Sequence, residues 1–195
     1  MTDMFPLFTP FPSIARLSRD MIVTEKLDGT NAQVHITETG QVFAGSRSRW
    51  ITPEADNFGF ARWVKANEDA LRTGLGIGTH FGEWWGSGVQ RGYGLTNGEK
   101  RFSLFNVSRW TSSNNTAEKA DGDTRCIEVP CCHVVPVLCR WTFDTAKVDE
   151  CLYTLQRLGS AAALGFMKPE GVVVFHTKAN TLYKKTLDGD GHKTA

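Results

Sequence analysis

Helical periodicity is confined to short stretches of this chain, and most of the rest alternates with the period of a strand. In the clearest helical stretch, Phe60, Trp63, Val64, Asn67 and Leu71 share one face, with Gly74 placed to stop the helix. In the second, Asp144 can cap a helix whose Val148, Cys151, Leu152, Leu155 and Leu158 form a buried stripe. A short helix is also expected from Pro12 to Arg19, after two Phe-Pro pairs. Strands are expected at Met21 to Glu25, across the alternating Ala32, Val34 and Ile36, and at Gln41 to Ala44 after a Glu38-Thr39-Gly40 turn. Further strands are expected at Ile77 to Trp85, Arg101 to Val107, Gly171 to His176 and Thr181 to Leu187. Val134 to Leu138 reads as a strand in which Pro136 marks an edge or an irregularity. Many antiparallel-looking strands with two segregated helices indicate an α+β fold. No repeat or linker divides the chain, so residues 1–195 are read as one domain with no separate C-terminal domain.

Composition narrows the class without deciding it. At 195 residues and 41% hydrophobic, the chain can bury a sizeable core. A formal net charge of +1 announces no overall basic field, although positive charge can be confined to one groove. The start lacks a basic region followed by an apolar run, and no stretch approaches ~18 consecutive apolar residues, so neither a secretory signal nor a membrane span is expected. Five cysteines, odd in number and clustered late, favour free thiols in a reducing, cytoplasmic compartment. Residues 111–125 are polar and turn-rich and read as an exposed loop, and the tail from Asp188 reads as loose.

The informative segment is Glu25-Lys26-Leu27-Asp28-Gly29-Thr30-Asn31. A lysine at a strand end, followed by a glycine turn, can be fixed at the mouth of a pocket. To act as a nucleophile a lysine must be neutral, and an ordinary one, with pKa ~10.4, is only ~0.1% neutral near pH 7.5. Neighbouring cations, desolvation or a metal raise that fraction. Alone, Lys-x-Asp-Gly is a common surface turn. Five more blocks follow it in order: Ser46-Arg47, Phe81-Gly82-Glu83, Phe102 to Val107, Glu170 to Val174, and Tyr183-Lys184-Lys185.

With these six blocks, the sequence resembles the ATP-dependent RNA ligases of the lysine nucleotidyltransferase superfamily, which includes DNA ligases and mRNA capping enzymes. The resemblance implies the antiparallel-sheet nucleotidyltransferase fold of ligases and capping enzymes, which is ATP-grasp-like. It implies that Lys26 attacks the ATP α-phosphate, that AMP passes to the 5′-phosphate of an RNA, and that a 3′-hydroxyl seals the strand. Glu25, Asp28, Gly29 and Asn31 would surround the nucleotide, and Arg47 would take a phosphate through its two-pronged guanidinium. Glu83 would contact the nucleoside sugar near the metal, and Phe105 would stack on adenine. Glu170, with Glu83, would attend magnesium. The family commonly has two lysines one residue apart in its last block. Here Thr186 takes the second place, so Lys184 is the expected phosphate partner, and Lys185, on the other side of the strand by alternation, is the second candidate. Asn106 stands where the family often has Asp. Asn31 stands where capping enzymes and DNA ligases usually carry Arg, which favours the RNA branch. A GTP-using capping enzyme, a DNA ligase or a non-catalytic end-binding module are the alternatives, and an accessory protein could supply further grip on RNA.

Other motifs rank lower. Gly94 to Lys100 misses the P-loop spacing and reads as a flexible connection beside the site. Cys126, Cys131, Cys132, His133 and Cys139 contain no Cys-x-x-Cys pair, so buried or strand-borne thiols are expected rather than zinc ligands. Trp84, Trp85 and Trp110 could stack bases or pack in the core.

Overall fold

The computed structural model describes residues 7, 9–111, 127–129 and 131–188. Most of the expected loop at 111–125 and the tail beyond Asp188 lie outside the described residues. Two main sheets organise the chain. One has the order β10-β1-β11-β12, built from Val137–Thr142, Asp20–Lys26, Gly171–His176 and Thr181–Thr186. The other has the order β4-β3-β2-β5-β6-β9, from Trp50–Ile51, Val42–Ser46, Thr30–Ile36, Gly78–Gly86, Lys100–Leu104 and His133–Val134. All pairs in these sheets are antiparallel except β6 with β9. A short parallel pair joins β7 (Trp110–Thr111) to β8 (Ile127–Glu128).

Each sheet buries one face against helix, as alternation in its strands dictates. Ala32, Val34 and Ile36 of β2 pack with Phe60, Val64, Leu71 and Leu75 from α1 (Phe60–Ala66) and α2 (Glu68–Leu75). Met21 and Val23 of β1, with Val172 and Val174 of β11, pack against Val148, Cys151, Leu152 and Leu155 of α3 (Thr145–Leu158). Asp144 caps α3 as expected, accepting the Ala146 N–H at 2.8 Å. Leu158 is outside the stripe and 71% exposed.

Three expectations are corrected. The helix expected from Pro12 to Arg19 is absent: residues 12–16 have no regular structure and 17–19 form a bend. The helix expected from Phe60 breaks at Asn67, whose side-chain amide donates to the Trp63 carbonyl. It restarts as α2 and runs past Gly74 to a C-cap at Gly76, where φ is +73°. Gly74 instead makes room for Val129, which a Cβ there would meet at 2.8 Å. The strand expected at Val134 to Leu138 divides at Pro136: β9 ends in the larger sheet and β10 begins in the smaller one. Proline has no N–H for a ladder, but its carbonyl still accepts the Glu25 N–H at 2.9 Å. Among the described residues no helix is long and apolar enough to cross a membrane.

Candidate active site

β1 delivers Lys26 to the end of the smaller sheet, and the chain turns at once through Leu27, Asp28 and Gly29 into β2 of the larger one. The lysine therefore sits where the two sheets meet. Leu27 anchors the turn in the core. Gly29 is required by space: a Cβ would lie 2.4 Å from the Trp84 carbonyl oxygen and 2.8 Å from the Trp85 Cβ. Its N–H donates to Glu83 Oε1 at 3.0 Å, and the Asn31 amide reaches Glu83 Oε2 at 3.4 Å.

Two carboxylates face the lysine. Glu170, just ahead of β11, accepts from Lys26 Nζ at 2.5 Å. Glu83, on β5 directly opposite Asn31, is 8% exposed. Burial pushes its carboxyl up to about 7, against the Gly29 N–H and the positive charge of Lys26, while Glu170 and Asp28 push the same way as burial.

The structure brings Lys26, Asp28, Gly29, Asn31, Glu83 and Glu170 together. Lys184 shares their side of the smaller sheet, because Thr24, Val173 and Lys184 are in register and Lys26 lies two residues on from Thr24. Lys185 points the other way and pairs with Asp149 of α3 at 2.5 Å. The strand alternation expected for this pair of lysines is thus the observed one. Glu25 also points away from Lys26. It is buried, and its Oε2 accepts the Ala161 and Ala162 N–H groups at 2.8 and 3.0 Å. Burial raises its pKa against those hydrogen bonds, and Oε1 has no partner among the described residues. Its side chain is therefore not gathered with Lys26, Glu83 and Glu170.

Arg47 lies just beyond the end of β3, in the turn to β4 that the Ser46 N–H closes onto the Arg49 carbonyl at 2.8 Å. Phe105 lies just beyond β6, half-exposed, with its N–H on the Phe81 carbonyl. Asn106 serves its own turn, accepting the Ser108 N–H at 3.2 Å. Trp84, Trp85 and Trp110 are buried in the core, so their rings are not open for stacking. Cys132 and Cys151 are buried, Cys131 and Cys139 are half-buried, and all four are free; Cys126 lies outside the described residues. A cavity of about 510 Å³ lined by Arg16, Arg19 and Lys178 lies at the opposite end of β1 and contains none of the site residues.

Sequence reasoning missed two residues. The loop after β5, just ahead of the Gly94 to Lys100 stretch read as a flexible connection, folds back onto the lysine turn. Tyr93, 2% exposed and held at φ +51°, accepts the Asp28 N–H at 2.9 Å through its hydroxyl. Arg91 donates to Asp28 Oδ2 at 2.9 Å, to Asp188 at 2.5 Å and to the Lys168 carbonyl at 3.1 Å. These contacts clamp the turn and the segment leading to Glu170. The two acidic partners raise the Arg91 pKa further. An arginine and a tyrosine inside a glycine-rich loop were the only visible signal.

A divalent metal fits this donor set in one specific way. Glu83 and Glu170 offer hard oxygen ligands, but no group of three or more His, Cys, Asp or Glu side chains arranged to hold an ion occurs among the described residues. Two carboxylates would leave the rest of a hard divalent ion's shell to oxygens from outside the protein.

Comparison with known proteins bears on family and fold. The family model for RNA ligase matches residues 19–186. No curated protein matches the sequence significantly. Among solved structures, an RNA ligase of Naegleria gruberi with PPi is similar at 16% identity and a TM-score of 0.55, over 93% of this chain and 57% of that one. A mutant of that ligase with AMP and Mn is similar at 16% identity and 0.55, over 87% and 50%. A mutant with ATP and Mn is similar at 17% and 0.56, over 86% and 48%. At such identities the likeness shows the fold. The chain spans about half the length of these structures.

Proposed function

The chain belongs to the RNA ligase family, and from that premise we propose that it is an ATP-dependent RNA ligase working through a lysyl-AMP on Lys26. The observation that carries this reading is the placement of Lys26 Nζ between the sheets, hydrogen-bonded to Glu170 and facing the buried Glu83. In the first step the Lys26 nitrogen bonds to the α-phosphorus of ATP and pyrophosphate departs. Glu170 is already hydrogen-bonded to the amine and is placed to take its proton. In the second step a 5′-phosphate oxygen of RNA attacks the same phosphorus and frees the lysine. A 3′-hydroxyl then attacks the adenylated end and releases AMP.

The remaining residues take roles that follow from position. Asp28 and Gly29 hold the turn, and Asn31 and Glu83 face the nucleoside. Phe105 offers a ring face to adenine, and Lys184 and Arg47 offer charge to phosphates. Lys185, engaged with Asp149, stays on the far side of the sheet, and Glu25 supports the strand end from behind. Glu83 and Glu170 would hold magnesium or manganese, which neutralises phosphate charge when bound. All of these residues act within one nucleotidyltransferase domain.

ATP and GTP labelled on the α-phosphate test the reading. ATP should leave stable label on the protein and GTP should not. A chelator should abolish the label, and magnesium or manganese should restore it. Label from GTP alone would point to the capping branch. Label from neither nucleotide would leave only an end-binding module.

A further inference from the structure

We infer that the open face formed by His35, Phe43 and Trp50 is a stacking platform for the bases of the RNA strand whose end is held at Lys26. This inference rests on the ligase reading and adds a binding site to it.

The face is continuous with the active site. Asn31, Gln33 and His35 alternate onto one side of β2, and their cross-strand partners on β5 are Glu83, Phe81 and Thr79. On β3 the same rows continue through Gly45 and Phe43, with Trp50 paired to Gly45 from β4. Starting from the catalytic carboxylate Glu83, the sheet thus runs outward through Phe81 to the three rings. Asn31 and His35 are four residues apart, ~13 Å at ~3.3 Å per residue. That distance equals about four stacked nucleotides at ~3.4 Å each.

The rings are also held in place. His35 and Trp50 have centroids 5.8 Å apart at 51°, and Phe43 and Trp50 are 6.0 Å apart at 52°. A hydrogen bond to Thr79 at 2.8 Å fixes the His35 ring. Yet Phe43 is 42% exposed, Trp50 56% and Phe81 59%. An ordered aromatic surface that leaves about half of Phe43, Trp50 and Phe81 open to solvent suits a ligand with π-faces of its own.

Charge selects that ligand. The turn between β3 and β4 carries Arg47 and Arg49, and neither guanidinium has a carboxylate or hydrogen-bond partner among the described residues. By contrast, Arg72, Arg91 and Arg101 are each held by acidic side chains. Two free guanidiniums beside exposed rings complement a strand with phosphates on one edge and bases on the other. An apolar protein segment would leave both charges unanswered.

The test is binding of a labelled, 5′-phosphorylated RNA of about eight nucleotides, with an abasic residue stepped along it from the 5′ end. Trp50→Ala should weaken binding of intact RNA by about 5- to 100-fold, and Trp50→Phe should restore most of it. The decisive comparison couples the two changes: an abasic residue near the fourth position should weaken wild type but not Trp50→Ala. Equal sensitivity of both proteins to the abasic residue, or undiminished binding by Trp50→Ala, overturns the platform. Loss of a protein partner by Trp50→Ala, with RNA binding unchanged, would also overturn it. AMP-adduct formation by wild type is measured alongside. Its absence would remove the ligase reading, whereas an intact adduct with uncoupled RNA binding would remove only the platform.

Discussion

Glu83 combines two demands that oppose each other at neutral pH. Its position between Gly29, Asn31 and Lys26 suits a carboxylate, but burial holds its pKa at about 7. The unfolded carboxyl ionises near 4.5, so between about 4.5 and about 7 the folded protein binds more protons. Stability from this group is therefore fully present below 4.5 and is lost as pH rises through about 7. The full effect is on the order of 3 kcal/mol, and Glu25, also raised by burial, adds to it with the same sign. Urea unfolding at pH 5 and pH 8 should show the wild type losing more stability across that interval than Glu83→Gln, which cannot ionise. Equal losses would mean that Glu83 titrates as an ordinary carboxylate. The same strain favours any cation arriving at the site, because a positive charge beside Glu83 restores the ionised form.

At the scale of elements, the lysine turn depends on a loop from elsewhere in the chain. The Tyr93 hydroxyl holds the Asp28 N–H and Arg91 holds the Asp28 carboxylate, so the turn is gripped by backbone and side chain together. Tyr93→Phe keeps the ring between Trp85 and Phe166 but removes the hydroxyl. It should cost about 1 kcal/mol of stability and slow adenylation about tenfold by loosening the nucleophile. The loss should fall on the rate constant more than on ATP affinity, and Arg91→Lys should share it, since lysine cannot fork between Asp28 and Asp188. Adenylation by Tyr93→Phe at the wild-type rate would reduce the loop to packing. This clamp was not legible beforehand, because its contacts join residues more than sixty positions apart. The Lys26 turn was legible, since a strand end, a carboxylate and an obligatory glycine are neighbours in sequence. The same division explains the helices. Asp144 declared its cap locally, while the break at Asn67 interrupts a stripe whose apolar spacing runs on unchanged. Pro136 was visible as an irregularity, but only the assembled sheets show it as the crossing from one to the other.

Across the whole molecule, two sheets meet at one seam, where Ile22 and Phe175 of the smaller pack into the core of the larger, and the candidate site sits at its end. Lys26 and Glu170 come from the smaller sheet, and Asn31 and Glu83 from the larger. The helices cover one face of each sheet, so the proposed ligand site lies at the seam and the proposed RNA platform on the open face of the larger sheet. Strand alternation decides which residues share a side, so Lys184 is separable from Lys185 in the sequence itself. The pairing order of the strands, and with it the path from Glu83 to Trp50, depended on long-range register that no local pattern carries. The central claim is that this seam makes Lys26 the acceptor of AMP. Its most direct test is the intact mass of the protein before and after ATP with a divalent metal, for wild type, Lys26→Ala and Lys26→Arg. Wild type should gain the mass of one AMP, and both variants should gain nothing, because arginine keeps the charge but cannot surrender its proton near neutral pH. An AMP adduct on either variant would contradict the account.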